Sequence, residues 1–153
     1  MPAPEGILDR LRATALDLVS LVRGSDEAVL RKAPAGGGWP AATVVAHLAD
    51  AEQVHGVRAR MMLTSNRPWL TSFDEDGWAE RFAPLEPDTR EVLQRWRVLR
   101  EANIRLFEAL DDDEWQREGV HDTKGTQTVA GLARIMADHD REHLAQIRQA
   151  LAG

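Results

Sequence analysis

Four segments of this chain repeat apolar side chains at intervals of three and four residues, and that period decides what it can become. The first segment begins near Glu5 and sets Leu8, Leu11, Ala15, Leu18 and Val22 along one side. The second begins at Pro40 and runs to about Ser65, with Val44, Leu48, Ala51 and Val54 in line. The third follows Pro87 and carries Val92, Trp96, Leu99, Ile104, Phe107 and Leu110. The fourth follows Thr128, a residue suited to an N-cap, and ends near Ala152. No segment gives a strand series. Helices with one apolar stripe each must bury those stripes against one another. The expected fold is therefore all-α, a single four-helix-bundle domain over residues 1–153.

The connections are marked by helix breakers. Gly24-Ser25 ends the first helix, and a shorter one runs on to about Ala33. Pro34 to Pro40 (PAGGGWP) is a loop whose last proline suits the first turn of the next helix. Residues 66–86 form a long connection with Trp69, Phe73, Trp78 and Phe82. A short helix is predicted over Glu75–Phe82, its aromatics covering one bundle end or walling a pocket. Residues 111–127 are polar and glycine-punctuated and read as loop, with room for a short extended pair around Val120–Lys124. Connections this long allow neighbours that are not consecutive in sequence, so simple up-and-down order does not follow.

Charge and composition exclude several functions. Nineteen basic residues are interleaved with 25 acidic ones, for a net charge of −6, and no basic cluster stands out. That argues against a surface tracking a nucleic-acid backbone. No apolar run approaches the ~20 residues that cross a membrane. The opening MPAPEGILDRLRATA lacks the apolar stretch of a signal peptide, so the expected location is cytoplasmic. The chain has no cysteine. Disulfides, a cysteine nucleophile and thiolate ligands are thereby excluded, and a metal would have to be held by histidine and carboxylate.

The last helix contains the stretch HDREHLAQIRQAL from His139 to Leu151. Its stripe runs Leu132, Met136, then 139 or 140, then 143, then Ile147 and Leu151. His139 and His143 stand at i and i+4, where side chains stack on one helix face and two imidazoles can point at one ion. A catalytic metal needs a third ligand, and the second helix offers His47, three residues after Val44. Three neutral nitrogens would leave positions open for water and substrate. Core histidines hydrogen-bonded to carbonyls give the same pattern without a metal.

The chain resembles the DinB/YfiT-like superfamily of four-helix-bundle metalloenzymes. The resemblance rests on GWPAATVVAHLADAE (Gly38–Glu52) and TVAGLARIMADHDREHLAQI (Thr128–Ile147), and extends over essentially the whole chain. Its marks are Trp39 before the second helix, His47-Leu48 within it, and His139, His143 and Leu144-Ala145-Gln146-Ile147 near the end. Pro40 departs from the serine or threonine common after that tryptophan. The resemblance implies that His47, His139 and His143 hold a divalent metal ion, zinc or nickel foremost, and that the bundle forms a homodimer. It further implies a small-molecule substrate. In some relatives this involves a low-molecular-weight thiol of the bacillithiol or mycothiol type, in transfer or isomerisation. Hydrolysis by metal-activated water is the other enzymatic reading, and a non-enzymatic stress-inducible binding protein the third.

Supporting roles are assigned to three residues. Gln146 could orient a ligand or bound water, or make a plain interhelical hydrogen bond. Asp50 and Asp140 could each accept a ligand's second N–H, solvated positions being the plainer account. Asn103 interrupts the third stripe as a satisfied amide or a pocket residue. His55 lies two turns from His47, about 12 Å along the helix, too far to share its metal. His121 sits in the polar loop, where it could reach a pocket mouth or stand exposed without a role. Glu52-x-x-His55 and Asp140-x-x-His143 approximate a ferritin-like di-iron pattern, but Glu101 and Glu108 lie off the third stripe.

Overall fold

A computed structural model describes residues 3–153. Four long helices build the body: α1 (Ile7–Arg23), α3 (Ala41–Thr64), α5 (Thr89–Glu108) and α7 (Val129–Ala152). Short helices α2 (Glu27–Arg31), α4 (Glu75–Phe82) and α6 (Asp112–Trp115) lie in the connections. A 3₁₀ turn over Ala83–Leu85 follows α4 directly. The four-helix expectation holds, as does the helix over Glu75–Phe82. No helix among the described residues is long and apolar enough to cross a membrane.

The packing order is not the chain order. Helix α3 packs on α5 and α7, and α1 packs on those same two, so the consecutive long helices α1 and α3 face each other across the diagonal. Two apolar clusters give the directions. One joins Ile7 and Leu11 with Met62, Phe107, Val129 and Leu132. The other joins Leu18 and Val22 with Val44, Leu93, Trp96 and Ile147. The start of α1, the ends of α3 and α5 and the start of α7 therefore share one end of the bundle. Neighbours α3 and α5 run parallel, and α7 runs antiparallel to both. A parallel pair cannot be joined by a tight turn, so residues 65–88 must return along the bundle's length. That requirement explains the long aromatic connection, and α4 packs on α3 along the way.

The polar connection after α5 is more ordered than a loop. Strands β2 (Glu118–His121) and β3 (Gly125–Thr128) form an antiparallel hairpin, and β1 (Trp69–Leu70) pairs parallel with β2. The extended pair expected near Val120–Lys124 thus lies over 118–128, with Asp122 to Lys124 as its turn. Side-chain caps start the later helices, α4 to α7: Thr128 Oγ1 accepts from Gly131 N at 2.9 Å, and Asp111 with Glu114 forms a reciprocal capping box on α6.

Between the two apolar clusters lies a charged layer. Arg100 on α5 is 1% exposed and uses all its N–H donors. Nε and Nη2 grip the Glu52 carboxylate of α3 at 2.8 Å each. Nη1 and Nη2 reach Asp140 of α7 at 2.8 and 3.1 Å, and Nη1 also donates to the Leu11 carbonyl of α1 at 2.9 Å. Thr14 Oγ1 donates to Asp140 at 2.8 Å. Asn103 is the satisfied amide of the two alternatives, donating to Glu52 and accepting from Arg60. The layer needs α3 and α5 close together there. A Cβ on Gly56 would sit 2.7 Å from Asn103 Oδ1, so glycine is what lets the amide in.

Candidate metal centre

Helix α7 resolves the ambiguity between 139 and 140 by one residue. Asp140 and Leu144 turn inward and are buried, while His139 and His143, each about 100° round the helix from its neighbour, are partly exposed. The histidines therefore line the seam between α3 and α7 instead of the bundle axis, which Arg100 fills. From the other wall of the seam comes His47, 1% exposed.

The three rings converge through one nitrogen each. His47 Nε2 lies 2.9 Å from His139 Nε2, which lies 3.0 Å from His143 Nε2. One ligand atom from each residue falls within 4.8 Å of the others, and no other such group of three occurs among the described residues. Zinc bonds imidazole at about 2.0–2.1 Å, which puts tetrahedral ligand nitrogens about 3.3 Å apart. The observed spacings lie within a few tenths of that value, so the donor set fits a divalent ion.

Protonation suits the same role. Burial, followed by the neighbouring His143, lowers the pKa of His47 to about 4. Burial, then the neighbouring His143, His47, His55 and Lys124, lowers His139 to about 3. Both rings are neutral at pH 7, so each has one ring nitrogen able to offer a lone pair to a metal. Unfolded histidine titrates near 6.5. The metal-free protein is thus expected to lose stability as pH falls from about 6.5 towards 4, where the unfolded chain takes up protons that the folded one refuses. Melting temperatures measured across that window should decline steadily; a flat profile would contradict neutral histidines.

Gln146 stands where the sequence suggested. Its Oε1 lies 2.7 Å from His143 Nδ1, so Nδ1 carries the proton and Nε2 the lone pair. Gln146→Ala should weaken metal affinity by about 10–100-fold, measured by competition with a chelator, with the fold unchanged. Trp39 covers the opposite side, its ring centroid 5.5 Å from that of His47. It is delivered by a loop with Gly37 and Gly38 at φ 85° and 94°, conformations that favour glycine. The same loop, with Gln146 and Gln149, walls an open cleft of about 350 Å³ beside the centre.

The two aspartates do other work. Asp140 hydrogen-bonds Arg100 and Thr14, not a histidine, and is buried instead of solvated. Asp50 is half-buried and makes no hydrogen bond to a histidine; burial raises its pKa, with Arg95 opposing. The di-iron pattern fails for the same reason, since Glu52 and Asp140 are both taken by Arg100. His121 is not exposed: its Nδ1 accepts from the backbone N–H groups of Thr123 and Lys124 and organises the hairpin turn. His55 is the residue the sequence underrated. It is far from His47 along α3, yet its ring centroid lies 6.1 Å from that of His139.

A sequence model of the DinB superfamily matches residues 8–147. The chain belongs to the DinB superfamily. This DinB chain is 31% identical over 141 residues to a protein of Geobacillus thermodenitrificans named "Putative metal-dependent hydrolase", covering 85% of this chain and 74% of that one. A protein of Oceanobacillus iheyensis with the same description is 28% identical over 120 residues, 76% of this chain. The matched part is 66% of that protein's length, just under two thirds. The solved structure of YfiT from Bacillus subtilis, described as a probable metal-dependent hydrolase with an unusual four-helix bundle topology, superposes with a TM-score of 0.87 at 25% identity. The match covers 95% of this DinB chain and 84% of YfiT.

Proposed function

We propose that the protein is a metal-dependent hydrolase. The observation that carries this reading is the convergence of three imidazole nitrogens, within 4.8 Å of one another, at a seam that is partly open. A divalent ion held there would supply Lewis acidity and lower the pKa of water to about 7. His47, His139 and His143 provide the nitrogens, Gln146 fixes the tautomer of His143, and Trp39 shields His47. Three protein ligands leave the remaining positions for water and substrate. A small-molecule thiol would fit the same opening, and the chain has no cysteine to compete for it.

The test is metal analysis of protein purified without a histidine tag, joined to a panel of ester, amide and thiol-transfer substrates. About one ion per chain is expected, lost in His47→Ala, together with hydrolysis that a chelator abolishes. Thiol transfer without hydrolysis would replace the hydrolase assignment with transferase chemistry at the same centre. Absence of metal from a correctly folded protein would end both readings.

A further inference from the structure

The cleft of about 350 Å³ opens where the loop from Pro34 to Trp39 faces the last turns of α7. Two of its walls also support the metal centre. Trp39 lies against His47, and Gln146 holds His143 through Nδ1. The cleft is therefore one amide and one imidazole away from the ligand nitrogens. Its volume is within the range of small-molecule sites.

The lining selects the guest. No charged side chain takes part in it, although 29% of the chain is charged. Hydrogen-bonding capacity, in contrast, is plentiful and unused. Gln146 gives its Oε1 to His143, which leaves both N–H bonds of its amide free. Gln149 is exposed and makes no hydrogen bond among the described residues, so its amide keeps two donors and an acceptor. In the loop, Gly37 N closes a turn on the Pro34 carbonyl at 3.0 Å, whereas the N–H groups of Gly36 and Gly38 find no partner among the described residues. A Cβ on any of these three glycines would meet no atom within 4 Å, so the bare backbone stands open to a guest.

An anion in this cleft would shed water with no charged side chain to replace it. An apolar group would strip water from the amides and return no hydrogen bond. An uncharged group with both donors and acceptors incurs neither loss. We propose that the cleft holds such a group of the substrate, a carboxamide or a set of sugar hydroxyls, while the reacting bond lies at the open metal position. Gln149 selects that group. Gln146 serves both places, holding His143 with its oxygen and the substrate with its nitrogen. The reacting end rests on the metal-centre reading above; the cleft itself is built by the protein alone.

Nuclear magnetic resonance tests this on the chelator-treated protein, in which no ion can draw a carboxylate. Three probes are titrated: N-acetylglycinamide for the amide, methyl glucoside for the hydroxyls, and N-acetylglycine for the first skeleton with a carboxylate. One of the two neutral probes should shift the backbone amides of Gly36 and Gly38 and the side-chain amides of Gln146 and Gln149, with a Kd of about 1–10 mM. The probe that does so names the group. Gln149→Leu alters an exposed residue and leaves the fold intact, and it should weaken that binding about fivefold, the loss of one hydrogen bond. N-acetylglycine should bind more weakly than the neutral probe by a similar factor. No localised shift with either neutral probe would overturn the assignment of the cleft. So would a carboxylate that binds as tightly, or an affinity unchanged in Gln149→Leu. None of these outcomes involves the metal, so the hydrolase reading stands or falls separately, on metal content and the substrate panel.

Discussion

Replacing His139 by alanine is expected to strip the centre of its metal more completely than any other single substitution. Its Nε2 is the shared member of both close contacts, 2.9 Å from His47 and 3.0 Å from His143. Structural zinc sites with four ligands contribute about 10–16 kcal/mol, so one ligand carries on the order of 3–4 kcal/mol, or about 10²–10³-fold in affinity. The side chain is partly exposed, so its truncation leaves a gap at the seam and not in the core. Metal content should fall from about one ion per chain to a small fraction, with the helical signal and the denaturant midpoint of the metal-free protein little changed. A variant that retains its ion would show that the imidazoles are packing residues only.

The second large effect lies a few ångströms inward. Arg100→Met should destabilise the protein by about 3–5 kcal/mol, because Glu52 and Asp140 are left as buried, unpaired carboxylates. They are 3% and 2% exposed. Burial opposes the Arg100 charge, but the two carboxylates outweigh it and raise its pKa. Combining Arg100→Met with Glu52→Gln and Asp140→Asn should recover part of the loss, since it is the unpaired charge that costs most. Chemical denaturation of the metal-free proteins measures both values. A single variant as stable as wild type would mean that water enters the layer.

These two residues also show where sequence reasoning reached and where it stopped. The periodicity of α1, α3, α5 and α7 is a local property, so their existence and near-correct bounds were legible. The helix over Glu75–Phe82 was legible for the same reason. Trp39, His47, His139, His143 and Gln146 were legible as a pattern, because their spacing sits within two helices and one loop. What failed was everything set by the angle of one helix against another. A one-residue rotation of α7 decides whether His139 or Asp140 faces the axis, and the stripe alone fits both. Arg100, Glu52 and Asp140 look like surface charges until α3, α5 and α7 meet around them. His55 was judged by its distance from His47 along its own helix. Its actual neighbour, His139, stands on an antiparallel helix that brings a different residue to each level. The extended pair near Val120–Lys124 was legible in its polar, glycine-punctuated segment, but its partner β1 was not, because β1 is two residues long and pairs with residues 51 positions away.

The diagonal placement of α1 and α3 makes the seam a junction between the early and late parts of the chain. His47 and His139 are 92 positions apart. Any ion that bridges them closes a long loop, as a covalent cross-link would, in a chain that has no cysteine to make one. Such an ion is a reversible staple: at a thousand times its dissociation constant it adds about 4 kcal/mol to the folded state, and it leaves when the supply fails. The lifetime of this protein in a cell would then follow the local availability of the metal, quite apart from whatever reaction the seam performs.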